Sequence, residues 1–73
     1  MGNFREFVES FIRTADGGWF CRAARHVVGP QGPITTTPGV IYRKGKLTLG
    51  YDVGAWLDDW DEHRIEPVNI QFL

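Results

Sequence analysis

Cys21 is the only cysteine of the 73-residue chain, and His26 and His63 are its only histidines. A thiol beside an imidazole is the minimal nucleophile–base pair. On an extended strand, however, the five steps from Cys21 to His26 cover roughly 17 Å and place the two side chains on opposite faces. Only His63, delivered by folding, could then reach Cys21. A free cysteine is commonly a small buried hydrophobe. Zinc would have to combine Cys21, His26, His63 and a carboxylate, without a CxxC or a histidine pair at ligand spacing. No catalytic and no metal residue is expected, and no cofactor.

Other patterns fail on spacing. Gly39 and Gly45-Lys46 are separated by five residues, where a phosphate loop needs four, and Leu47 stands where Ser or Thr must hold magnesium. Asp59, Asp61 and His63 alternate like the start of a calcium loop, but Arg64 occupies the required glycine position and Ile70 the closing glutamate. Asp58, Asp61 and Glu62 sit one helical turn apart on a wet face, without the desolvation that tunes a catalytic carboxyl.

Charge is more informative in its distribution than in its total of −1. Between Gly17 and Gly50 stand Arg22, Arg25, Arg43, Lys44 and Lys46 with no acid. From Tyr51 onward come Asp52, Asp58, Asp59, Asp61, Glu62 and Glu66 against Arg64 alone. The chain reads as electrically two-ended, with the signs sorted onto separate outer regions.

The elements follow from periodicity. Phe4, Phe7, Val8, Phe11 and Ile12 form one helical stripe over Asn3 to Arg13, with Asn3 as cap, Glu6 in capping-box position, and Glu9 with Arg13 on the wet side. Asp16-Gly17-Gly18 should stop that helix. Trp19 to Val28 reads as a strand, each side of which mixes apolar and basic residues. Ile34 to Thr37 is a short extended piece. Val40–Arg43 and Lys46–Leu49 suggest a hairpin around Lys44-Gly45, with Val40, Tyr42, Leu47 and Leu49 on its buried face. Val53, Trp56, Leu57 and Trp60 mark a second helix from Asp52 to about His63, ended by Glu66-Pro67. Val68, Ile70 and Phe72 alternate as a last strand.

The expected fold is therefore one α+β domain over residues 1–73: a small antiparallel sheet of three to five strands packed by two amphipathic helices, in the order α-β-(β)-β-β-α-β. Ten aromatics, 14% of the chain, supply core for a domain that buries only about 60% of its unfolded surface. Met1-Gly2 opens the chain, but Glu6 stands where a myristoylation signal wants Ser or Thr. No signal peptide or membrane span is visible, so the expected location is cytoplasmic, without membrane contact.

The functional expectation is a small non-enzymatic interaction domain, of the accessory or phage-derived kind, that works by contact with another protein or by self-association. Asp61 and Glu62 near a helix C-terminus oppose the macrodipole, and Asp58 repels Glu62. Something cationic should offset them: the chain's own Arg43, Lys44 or Lys46, or a partner. The contact residues would be Trp56, Asp58, Asp59, Trp60, Asp61 and Glu62, with Trp60 an anchor if it sits at the core margin. The alternative is nucleic-acid binding, with Arg22, Arg25, Arg43, Lys44 and Lys46 on phosphates and Trp19, Phe20 or Tyr51 stacking on bases.

Overall fold

The Asn3 side chain accepts a hydrogen bond from the Glu6 N–H at 3.0 Å, which starts helix α1 (Phe4–Glu9). The helix is shorter than its apolar stripe. Ser10 ends it, and Phe11–Arg13 continue as strand β1. An aromatic and a β-branched residue fit an extended backbone well. Phe11 stays buried, but the alternation of a strand turns Ile12 outward. Asp16-Gly17-Gly18 consequently serves a hairpin: Gly17 has φ +93°, and the Thr14 N–H bonds the Gly18 carbonyl at 2.9 Å.

The computed structural model describes residues 3–73; the Met1-Gly2 opening lies outside the described residues. After α1 and β1 come β2 (Trp19–Cys21), β3 (His26–Gly29), β4 (Gly32–Thr35), β5 (Ile41–Tyr42), α2 (Val53–His63) and β6 (Gln71–Phe72). They make a small α+β domain with two antiparallel three-stranded sheets, ordered β1-β2-β5 and β4-β3-β6, in place of the single sheet expected. The long strand Trp19–Val28 is broken at Arg22–Arg25, and its halves enter different sheets. That break explains the mixed alternation: Trp19, Cys21 and Val27 are buried, while Ala23 is exposed between them.

The hairpin around Lys44-Gly45 does not form. Ile41 and Tyr42 pair with Phe20 and Trp19 instead. Beyond Arg43 the chain turns against the first turn of α2, where the Gly45 N–H donates to the Asp52 carboxylate at 2.9 Å. Asp52 also caps α2 by accepting from the Ala55 N–H at 3.0 Å. Thr48 and Tyr51 then close their own tight turn through Leu49 and Gly50. Of the four residues assigned to a buried hairpin face, only Tyr42 is buried; Val40, Leu47 and Leu49 are exposed. At the other end α2 stops at Arg64, which adopts a left-handed conformation. The closing strand shrinks to Gln71–Phe72 and leaves Val68 outside.

Phe7 joins the layers. Its ring lies 4.9–6.2 Å from those of Phe72, Phe11, Phe4 and Trp56. Leu57 and Val53 from α2, Val27 from β3 and Cys21 from β2 complete the buried set. Polar groups within it are satisfied: the Tyr51 hydroxyl donates to the Gly32 carbonyl at 2.7 Å and accepts from the Gln31 N–H at 2.9 Å. Among the described residues no helix is long and apolar enough to cross a membrane.

Candidate protein-interaction surfaces

The expected acidic face of α2 divides. Asp58 is tied inward: its carboxylate accepts from Arg13 at 2.7 Å and from the Trp19 indole N–H at 2.8 Å, and its side chain is only 13% exposed. The Arg13 guanidinium in turn lies 4.8 Å from the Trp19 ring centre. The cation that offsets this helix is therefore Arg13, from β1, and none of Arg43, Lys44 or Lys46. Asp58→Ala should cost about 2–3 kcal/mol in chemical unfolding, because it strands both a guanidinium and a half-buried indole N–H. A change below ~0.5 kcal/mol would assign Asp58 to the free surface after all.

Trp56 packs its half-buried ring against Phe7, Tyr51 and Phe72, so it belongs to the core margin. Trp60 is also half-buried. It meets Phe4 edge-on at 5.7 Å and carries Arg5 and Arg64 at 5.8 and 5.3 Å from its ring centre. An open groove of about 700 Å³ runs along it, lined by Arg5, Val8, Glu9, Trp60, Arg64 and Glu66. Asp59, Asp61 and Glu62 are exposed. Asp61 only grazes Arg13, at 3.9 Å.

Charges of opposite sign are interleaved where the sequence pattern kept them apart. Arg43 bonds Asp16 at 2.6 Å, and half-buried Arg25 donates to the Ser10 hydroxyl. Arg22, Lys44 and Lys46 remain exposed. Of the three aromatics named for base stacking, Trp19 and Tyr51 are buried and Phe20 alone faces out. Cys21 is fully buried in the first sheet, while His26, in the second, bonds the Thr35 hydroxyl at 2.9 Å.

The bond from Arg43, supported by the Thr14 hydroxyl, holds the Asp16 carboxyl well below the usual carboxylate range. The folded state thus favours the ionised form. This contribution is complete above about pH 4 and fades as pH falls further. Asp16 is exposed, so the effect is modest. The thermal midpoint of the native chain should drop more between about pH 4 and pH 2 than that of Asp16→Asn; parallel profiles would contradict this.

One surface was not legible in advance. Ile12 pairs with Phe20 and Phe20 with Ile41 across β1, β2 and β5. All three side chains point away from the core, at 50%, 38% and 36% exposure. The outer face of the other sheet presents His26, Pro33, Thr35 and Gln71 with half-buried Val28, and the N–H of exposed Leu73 bonds the His26 carbonyl at its edge. The first sheet therefore carries an apolar row three strands wide, edged by the Asp16–Arg43 pair. Strict alternation within correctly bounded strands is the signal that would have found it.

Comparison with protein-family models, curated proteins and solved structures finds no match.

Proposed function

We propose that this domain works by contact with another protein, docked on the outer face of the β1-β2-β5 sheet. The register-aligned row Ile12–Phe20–Ile41 is the observation that carries this reading. Single exposed apolar residues are ordinary on protein surfaces, but a contiguous apolar patch rimmed by polar groups marks a binding face. The Asp16–Arg43 pair supplies such a rim, and an aromatic at the centre of the row supplies an anchor of the kind enriched in interface hot spots.

A photoreactive benzoylphenylalanine in place of Phe20 tests the reading, with the same residue in place of Gln71 as the reference on the other sheet. Irradiation in the source cells should give discrete adducts to another protein from position 20 and none of the same size from position 71. Absence of adducts at position 20, or the same adducts from both positions, would refute it.

A further inference from the structure

Among the described residues the four most exposed large apolar side chains are Val68 (78%), Leu49 (75%), Leu47 (62%) and Ile65 (54%). They divide two and two between the ends of α2. Leu47 and Leu49 stand in the loop whose backbone backs onto the helix N-terminus, where Gly45 bonds Asp52. Ile65 and Val68 lie in the segment that leaves the C-terminus. The two ends are about 16 Å apart along the axis, so neither pair can cover the other within one molecule.

Each pair has a prevailing sign of charge around it. With Arg43 set against Asp16, exposed Lys44 and Lys46 stand beside the two leucines. With Arg13 set against Asp58, exposed Asp59, Asp61, Glu62 and Glu66 stand beside Ile65 and Val68 and outnumber exposed Arg64, which lies over the Trp60 ring and donates to the Trp60 carbonyl. Within one copy the helix macrodipole is met by the Asp52 carboxylate at the N-terminus and by the Arg64 guanidinium, which donates to the Trp60 carbonyl, at the C-terminus. Leu49 carries a local cost. It holds φ +47°, a left-handed conformation that glycine adopts freely and leucine does not. Three-quarters exposed, its side chain returns little to the fold for that strain.

We infer that copies of this chain associate head to tail, with the Leu47/Leu49 loop of one copy seated on Ile65 and Val68 of the next and Lys44 and Lys46 meeting its Asp61 and Glu62. Such contacts are heterologous and repeat, so they build chains and not closed two-fold dimers. The apolar area is small against the roughly 800 Å² per partner of a stable complex, which makes the association weak and salt-sensitive. This contact is separate from the sheet face and does not depend on it.

Sedimentation velocity of the purified chain up to about 1 mM tests it, in about 30 mM and about 500 mM NaCl. The average mass should rise with concentration in low salt and return to that of one chain in high salt. The double variants Lys44→Glu/Lys46→Glu and Asp61→Lys/Glu62→Lys should each stay monomeric alone, and mixing them should restore association. Leu49→Gly should weaken association at least about threefold while raising the thermal midpoint by about 2–5 °C. A native chain that stays monomeric in low salt overturns the inference, as do charge variants that associate like the native chain or a Leu49→Gly variant less stable than native. Adducts from position 20 report on the sheet face alone, so either contact can fail without the other.

Discussion

Gly54→Ala should lose most of the fold's stability, about 3 kcal/mol or more. In an ordinary helix the same change stabilises by roughly 0.5–1 kcal/mol, so the sign itself is diagnostic. Gly54 is buried in the first turn of α2, pressed against the loop that leaves β5. An added Cβ would stand 2.2 Å from the Arg43 carbonyl carbon, 2.3 Å from the Lys44 nitrogen and 2.6 Å from the Arg43 oxygen. All three are backbone atoms, so no rotamer change relieves the overlap. Helix and loop must separate, and the bond from Gly45 to Asp52 goes with them. Chemical unfolding followed by circular dichroism reads the outcome, and an alanine variant as stable as the native chain would contradict the packing of α2 on this loop.

Phe7→Ala is the second large effect, with an expected loss of about 3–5 kcal/mol. Phe7 is almost fully buried and touches rings from α1, β1, α2 and β6. Deleting it opens a cavity where both helices and both sheets meet. A domain of this size has little stability in reserve, so most molecules should be unfolded at room temperature, with the near-ultraviolet aromatic signal gone. Phe7→Leu keeps most of the volume and should cost less than half as much. Equal losses for the two variants would mean that the aromatic contacts, and not the filled volume, carry the core.

What the residues announced locally is what the structure keeps. Asn3 and Asp52 are both the caps that their types and positions suggested, because capping needs only one side chain and the next few amides. The stripe Val53, Trp56, Leu57, Trp60 is helical over its full length. The stripe from Phe4 to Ile12 is not, since Phe11 points inward in either geometry and only pairing with β2, across the Asp16-Gly17-Gly18 turn, decides for the strand. Strand breaks and sheet membership depend likewise on non-local partners: nothing near Arg22–Arg25 says that the chain is crossing between sheets. Leu47 and Leu49 misled because cross-strand alternation ignores what Asp52 does, which is to draw Gly45 onto the helix.

The candidate contact residues were legible to the same degree. The acidic run on α2 exists, but Asp58 is removed from it by Arg13 and Trp19, a bond spanning more than half the chain. Trp56 belongs with the core rings, and Trp60 sits at the margin with a groove beside it. The row on the outer sheet face is hidden in the sequence because the apolar stripe assigns Ile12 to a helix and alternation assigns Ile41 to a hairpin around Lys44-Gly45. Once the register is known, Phe20 is its centre.

The reading of this domain as a contact module stands on the outward row being kept for binding and not for folding. Phe20→Thr/Ile41→Thr separates these, because threonine preserves strand propensity while removing the apolar surface. The most direct measurement compares, by quantitative mass spectrometry, the proteins that native and variant chains retain from a lysate of the source cells, after chemical unfolding has placed the two within about 2 kcal/mol of each other. The expected result is a folded variant with at least one protein depleted about tenfold or more, the equivalent of losing one anchor residue. Equal retention by both chains, or a variant that no longer folds, would contradict it.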